Sequence, residues 1–145
     1  MSLSLNQLIE SKGSEIFSIS PGSSVFDAIK MMAEKGVGLL LVMDDSKPLP
    51  VGVISERDYA RKIILQGRRS RETAVADIMT SEITYGRPGQ TVQEGMALMT
   101  DGRFRHLPII EDGRVVGVLS IGDLVKAVIK EQQFRIDQLE TYITS

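Results

Sequence analysis

Pro21-Gly22-Ser23-Ser24-Val25 returns later in the chain as Pro88-Gly89-Gln90-Thr91-Val92, an offset of 67 residues. At the same offset Ala28 to Met43 (AIKMMAEKGVGLLLVM) lines up with Gly95 to Ile110 (GMALMTDGRFRHLPII). Val51-Gly52-Val53-Ile54-Ser55 then matches Val116-Gly117-Val118-Leu119-Ser120 at an offset of 65. The first copy therefore carries two extra residues, which fall in the turn region around Asp44 to Pro50. Beyond this block Asp58 pairs with Asp123, Arg61 with Lys126 and Ile64 with Ile129. An ordered match with its one gap in a turn points to duplication, and a repeat of this kind decides the architecture.

Each copy reads strand, helix, strand, strand, helix. Ile16 to Ser18 and Ile83 to Tyr85 are expected as short leading strands, followed by Pro-Gly turns. Ser24-x-x-Asp27 and Thr91-x-x-Glu94 mark helix starts, because the hydroxyl caps an orphan N–H and the acid sits in the first turn; the second is closer to a full capping box. Val25, Ile29, Met32 and Val92, Met96, Met99 recur at helical spacing and are read as core. Leu39 to Met43 and Leu107 to Ile110 are apolar enough for buried strands. Turns at Asp44-Asp45-Ser46 and Asp112-Gly113 lead into Val51 to Ile54 and Val115 to Leu119, which predicts two hairpins. The second helices begin after Ser55 and Ser120. The fold class is α+β, a tandem of β-α-β-β-α repeats. A unit of roughly 60 residues has little core of its own, so the two halves are expected to pack as a pseudo-twofold pair.

The expected boundaries are 8–67 for the first repeat, 68–79 for a polar linker and short helix, 80–130 for the second repeat and 131–145 for a C-terminal helical extension. The final segment from Gly122 onward, which runs into that extension, carries Ile129, Ile136, Leu139 and Ile143 as a stripe, which either packs on its own module or docks on a partner subunit.

Composition narrows the function. The 145 residues are 42% hydrophobic and 25% charged, ordinary for a globular chain. With no cysteine, thiolate chemistry, disulfides and cysteine-held zinc or iron–sulfur clusters are excluded. One histidine, His106, leaves no partner imidazole. A net charge of -2 argues against nucleic-acid binding, even with Arg57, Arg61, Lys62, Arg68, Arg69 and Arg71 close together. No apolar run reaches the roughly 20 residues of a membrane span, and no signal pattern opens the chain, so a cytoplasmic setting is expected. GxxxxGK[ST], GxGxxG and GxSxG patterns are missing, and no nucleophile–base pair is visible.

The candidate sites are Ser55-Glu56-Arg57-Asp58 and Ser120-Ile121-Gly122-Asp123, each a strand end running into a helix with Ser-x-x-Asp spacing. Serine as N-cap with an acid at the third helical position is ordinary helix-start chemistry. The same junction also presents unpaired N–H groups to an anion, and its carboxylate can accept two hydroxyl hydrogen bonds from a ribose. Spacing alone leaves both readings open.

The duplicated pattern resembles the cystathionine-β-synthase (CBS) domain pair, or Bateman module. The resemblance rests on Gly52-Val53-Ile54-Ser55-x-x-Asp58, on Gly117-Val118-Leu119-Ser120-x-x-Asp123 and on Arg105-His106-Leu107-Pro108, and it spans roughly residues 14–130. It implies a pseudo-twofold disc with two nucleotide clefts, in which the motif aspartate holds the ribose and basic residues take the phosphates. Carried over, one cleft uses Ser55, Arg57 and Asp58, with Arg61 on the same helix face and Thr84, Phe104, Arg105 and His106 opposite. The other uses Ser120, Gly122, Asp123 and Lys126, with Phe17, Val37 and Gly38 opposite. Thr84 and Phe17 each lie four residues before a repeat's Pro-Gly, where the family's adenine contact tends to sit. The basic residues gather around the cleft containing Asp58, so stronger phosphate recognition is expected there.

What the resemblance implies is a regulatory sensor of an adenine nucleotide (AMP, ADP, ATP or NAD), working as a homodimer or through a regulated protein partner. No catalytic cofactor, metal or membrane is expected. The competing reading is a structural or interaction module whose ligand sites are degenerate.

Overall fold

The computed structural model describes residues 3–13 and 15–144, with the elements α1 (Leu5–Lys12), β1 (Ser18–Ile19), α2 (Val25–Lys35), β2 (Leu39–Val42), β3 (Gly52–Ser55), α3 (Glu56–Tyr59), α4 (Val75–Ile78), α5 (Val92–Gly102), β4 (His106–Glu111), β5 (Arg114–Ser120) and α6 (Ile121–Thr144). A π-helical stretch, Ala60–Ile64, continues α3. The mixed α+β class and the tandem order follow the sequence reading. The chain divides into two compact units, residues 16–83 and residues 1–15 together with 84–145.

In the unit formed by residues 16–83, β1 lies parallel to β2, and β2 runs antiparallel to β3. In the other unit β4 and β5 form the antiparallel hairpin. The two ladders have the register that the duplication demands. Leu39 faces Ser55 and Val42 faces Gly52 in one; His106 faces Ser120 and Ile109 faces Gly117 in the other. The offset of 67 on the first strand and 65 on the second thus appears as one conserved pairing, and the length difference is absorbed at the turn end. There β4–β5 makes a register shift between Ile109 and Ile110 before the tight Asp112-Gly113 turn, where both residues have positive φ.

The leading strands differ from expectation. The first is Ser18–Ile19, shifted from the expected 16–18, and residues 83–85 form no strand. What remains in the second repeat is a single parallel bridge from Gly86 to Ile109, at the position equivalent to Ile19 against Val42. A side chain at Gly86 would press into Ile109 and Leu107, with its Cβ at 2.8 Å from both, so this edge is held close against the hairpin.

The helix starts behave as their sequences predict. Ser24 caps α2 by accepting from Asp27 N–H, and Thr91 with Glu94 forms a complete capping box on α5. One core gathers Val25, Ala28, Met32, Leu40, Val42, Ile54, Ile63, Val75 and Ile78. The other gathers Val92, Met99, Leu107, Ile109, Leu119 and Leu124, together with Leu5 and Ile9 from α1.

Those last two residues expose a relation that the repeat alignment did not reach. Helix α1 packs on the second repeat, and α4, from the linker, packs on the first. Their backbones are anchored in the same way: Leu5 N–H donates to Gln90, Asn6 to Pro88, and Val92 to Leu3, while Val75 donates to Ser23, Ala76 to Pro21, and Val25 to Thr73. The close approaches correspond as well. A Cβ on Gly52 would fall 2.6 Å from Met79 Sδ; one on Gly117 would be driven into Ile9 Cδ1. Each hairpin is therefore covered by a helix from outside its repeat: α4 follows the first repeat, whereas α1 is separated in sequence from the second by the whole of the first.

Candidate functional site

The two Ser-x-x-Asp junctions fold alike. Strand β3 ends at Ser55 in extended backbone, and the chain turns into α3; Ser55 Oγ accepts from Asp58 N–H (3.2 Å), while Asp58 Oδ2 accepts from Ser55 N–H (3.0 Å) and from its hydroxyl (3.1 Å). At the end of β5, Ser120 Oγ accepts from Asp123 N–H (3.2 Å) and Asp123 Oδ2 accepts from Ser120 N–H (2.7 Å). Both aspartates thus sit in reciprocal capping boxes, which satisfy two orphan helix donors and fix the direction of each carboxylate. Their side chains are 13% and 25% exposed, so both remain reachable from solvent.

Each carboxylate also faces a lysine. Lys62, one turn further along, places Nζ 3.2 Å from Asp58 Oδ1. Lys12, at the end of α1, places Nζ 2.7 Å from Asp123 Oδ2. The surroundings reveal a substitution of roles. In the unit of residues 16–83, Thr80 donates its N–H to the Val53 carbonyl (2.8 Å) and its hydroxyl to Asp58 Oδ1 (3.2 Å). In the other unit, the single ammonium of Lys12 makes both bonds, to the equivalent Val118 carbonyl (3.0 Å) and to Asp123. One cation therefore does for β5 and its aspartate what a threonine backbone and hydroxyl do for β3.

This contact sets the electrostatics of the second junction. Burial pushes the Asp123 carboxyl up, but the Lys12 hydrogen bond and charge together with the Ser120 bonds outweigh it and hold the group below its ordinary value. His106 heads β4 opposite Ser120. Burial pulls its imidazole below the usual value, Lys12 reinforces that, Asp123 opposes it, and Arg105 adds to the lowering. The lowering favours the neutral imidazole, which can accept or donate a hydrogen bond without adding positive charge.

The remaining residues singled out in the sequence have these positions. Arg57, Arg61, Gly122 and Lys126 are exposed on the helices that the two junctions begin. Thr84 is exposed in irregular chain. Phe17 is half-buried against its own core with Lys35 Nζ 5.5 Å from its ring centre, a cation–π contact. Phe104 packs on the second core. Val37 and Gly38 precede β2; the Gly38 carbonyl accepts from Glu56 N–H (3.1 Å), and the equivalent Arg105 carbonyl accepts from Ile121 N–H (2.8 Å). The backbone before each hairpin thus ties itself to the start of the following helix. Arg105 and His106 lie in the same unit as Ser120 and Asp123, and Phe17, Val37 and Gly38 lie in the same unit as Ser55 and Asp58.

Sequence reading missed Lys12, Lys62 and Thr80 as site residues; Lys62 lies four residues after Asp58, a helical spacing that could have found it. Lys12 is separated from Asp123 by 111 residues, and no local pattern announces it. Thr80 lies two residues past the end of α4, and its role becomes visible only through the bridge it makes to Val53. Among the described residues there is no cluster of three or more metal-ligating side chains, and no helix is long and apolar enough to cross a membrane.

A family model for the CBS domain matches the chain twice, over residues 12–65 and 75–130. Over 123 residues the chain is 45% identical to the mitochondrial CBS domain-containing protein CBSX3 of Arabidopsis thaliana, covering 83% of this chain and 60% of that one. It spans only 20% and 19% of the longer CBSCBSPB2 and CBSCBSPB3 proteins of the same plant. Among solved structures, a CBS-domain protein of Burkholderia ambifaria MC40-6 superposes with a TM-score of 0.84 at 46% identity, covering 90% of this chain and 96% of that one. The CBS-domain protein ATU1752 of Agrobacterium tumefaciens gives 0.82 at 32% identity, covering 86% and 98%.

Proposed function

The chain belongs to the CBS-domain family, and from that premise we infer that it is a regulatory module that binds an adenine nucleotide and carries out no reaction. CBS pairs are in general regulatory, ligand-binding modules. The observation that carries the finer reading is the twofold occurrence of one arrangement: an aspartate held in a capping box by its own serine, with a lysine ammonium within 3.2 Å. A carboxylate fixed in this way can accept both hydroxyls of a ribose, and the adjacent ammonium can turn to a phosphate. Ser55, Asp58, Ser120 and Asp123 are the ribose-side residues of this reading. Arg57, Arg61, Arg105, His106 and Lys126 are its phosphate-side candidates, and Lys12 and Lys62 join them. Phe17, Val37, Gly38, Thr84, Phe104 and Gly122 are assigned to the walls around the base and sugar. AMP, ADP, ATP and NAD share the adenosine this chemistry recognises. Output then passes through a homodimer or through a protein that the module regulates.

A second reading rests on the same bonds. Both carboxylates already have protein donors, so the junctions also serve as helix starts with no ligand, in a module kept for its interaction surfaces.

Ligand-dependent unfolding separates the two. A nucleotide at about 100 times its dissociation constant adds roughly 2.7 kcal/mol, which raises the Tm of a domain this size by several degrees. Such a rise with AMP, ADP, ATP or NAD, lost in Asp58→Ala or Asp123→Ala, is the outcome of the first reading. No change with any of them would establish the second.

A further inference from the structure

The geometry points to the C-terminal half of α6 as a self-association element, which pairs in parallel with the same helix of a second copy as a short two-stranded coiled coil. The argument starts from which side of α6 its own unit uses. Leu124, Ala127 and Glu131 are its buried residues, at spacings of three and four. A heptad written with Ile129 at a places these three at c, f and c, nearly opposite the a and d positions. Packing on its own core therefore turns the a/d seam to solvent.

That seam reads Val125, Ile129, Gln132, Ile136, Leu139 and Ile143, alternating steps of four and three along 19 residues. All six are exposed, with Ile129 59%, Ile136 48%, Leu139 61% and Ile143 79% open to solvent. Isoleucine at the a positions 129, 136 and 143, with leucine at the d position 139, favours two strands. From residue 132 onward every described residue of α6 is exposed, so this segment has little cover from its own unit. An isolated helix of about 12 residues is marginal in water and needs tertiary packing.

Charge selects the occupant and the direction. Arg135 falls at g and Glu140 at the following e, the two positions that meet between parallel strands. A second copy in register thus brings Arg135 against Glu140 of its partner twice, once on each side of the seam. The fully overlapped antiparallel arrangement also gains two opposite-charge pairs, Lys126 with Glu140 at e, but it sets Arg135 against Arg135 at g, a like-charge contact that the parallel one avoids. Arg135 already bonds Glu131 at 3.2 Å, and its guanidinium has donors left for a second carboxylate. The inference stands independently of nucleotide binding.

The chain has no cysteine, so single cysteines report cleanly on the seam. Gln132→Cys and Leu139→Cys, made separately and oxidised mildly, are each expected to give disulfide-linked dimers, because in a parallel pair every d position faces itself. An antiparallel pair links at most the position nearest its centre, so dimers from only one variant, or from neither, would overturn the proposal. Light scattering on Ile136→Glu/Leu139→Glu should show the monomer mass at a concentration where the parent is dimeric, with circular dichroism verifying that the units remain folded. A parent that is monomeric, or a double variant that stays dimeric, would equally overturn it. Arg135→Glu should weaken dimerisation about twofold to tenfold, and adding Glu140→Arg should restore it.

Discussion

Lys12 Nζ lies 2.7 Å from Asp123 Oδ2 and 3.0 Å from the Val118 carbonyl, so one ammonium joins α1 to both the edge of β5 and the start of α6. The pair is partly exposed, 44% for Lys12 and 25% for Asp123, and solvent screening keeps its stabilisation small. Lys12→Met is expected to cost about 0.2–1 kcal/mol in urea unfolding. It should also raise the Asp123 pKa, because burial then acts against fewer opposing bonds. A carboxyl NMR titration of Asp123 checks this; an unchanged midpoint would mean that the contact is not kept in solution.

His106 predicts a pH dependence. Its pKa in the folded chain lies below the ordinary 6.5, so the unfolded chain binds the proton more readily. Stability is accordingly full above about pH 6.5 and falls as the pH drops from there toward the lowered native value. His106→Leu, which places the residue found at the equivalent Leu39 of the first repeat, should remove that decline. Thermal unfolding of both proteins between pH 7.5 and 5 measures the difference.

The close packing behind each hairpin predicts a coupled pair. Gly117→Ala drives a Cβ into Ile9 and should destabilise by about 1–3 kcal/mol. In the Ile9→Ala background the same change should cost much less, because the clashing side chain is gone. Additive losses in the double-mutant cycle would show that the strain at Gly117 arises elsewhere. Gly52→Ala meets the Thr80 carbonyl at 3.0 Å as well as the Met79 side chain, and backbone cannot swing aside. It is expected to be the more damaging of the two glycine changes in the same unfolding assay.

Helix α1 should be needed by the second repeat, although it stands at the far end of the chain. Leu5 is fully buried beside Leu124 and Val92. Leu5→Ala should cost roughly 2–5 kcal/mol, the range for large cavities in a core. Hydrogen exchange should show the loss in β4, β5 and α5 and spare β2 and β3, whose cover is α4.

Much of the fold is legible in the chain because its signals are local. Capping by Ser24, Ser55, Thr91 and Ser120 is settled within three residues of each hydroxyl, and the hairpin registers follow from strand patterns less than 20 residues apart. The leading strands were the weakest local signal, at two or three residues each, and there the expected and observed elements diverge most. Gly86 replaces a β-branched residue at the position of Ile19, and the second strand shrinks to one bridge.

The Ser-x-x-Asp junctions themselves were visible as a pair of motifs, by their spacing alone. Neither lysine was read from the sequence as the partner of its aspartate, although a local signal exists for one of them. Lys62 is four residues from Asp58, one helical turn, whereas Lys12 meets Asp123 only because α1 is carried to the second repeat. Sequence by itself therefore determined the duplication, the caps and the ladders, each set by short-range sterics and hydrogen bonding. Tertiary structure alone decided that the second aspartate has a cation, because the burial of Leu5 and Ile9, a long-range packing choice, is what delivers Lys12 to it.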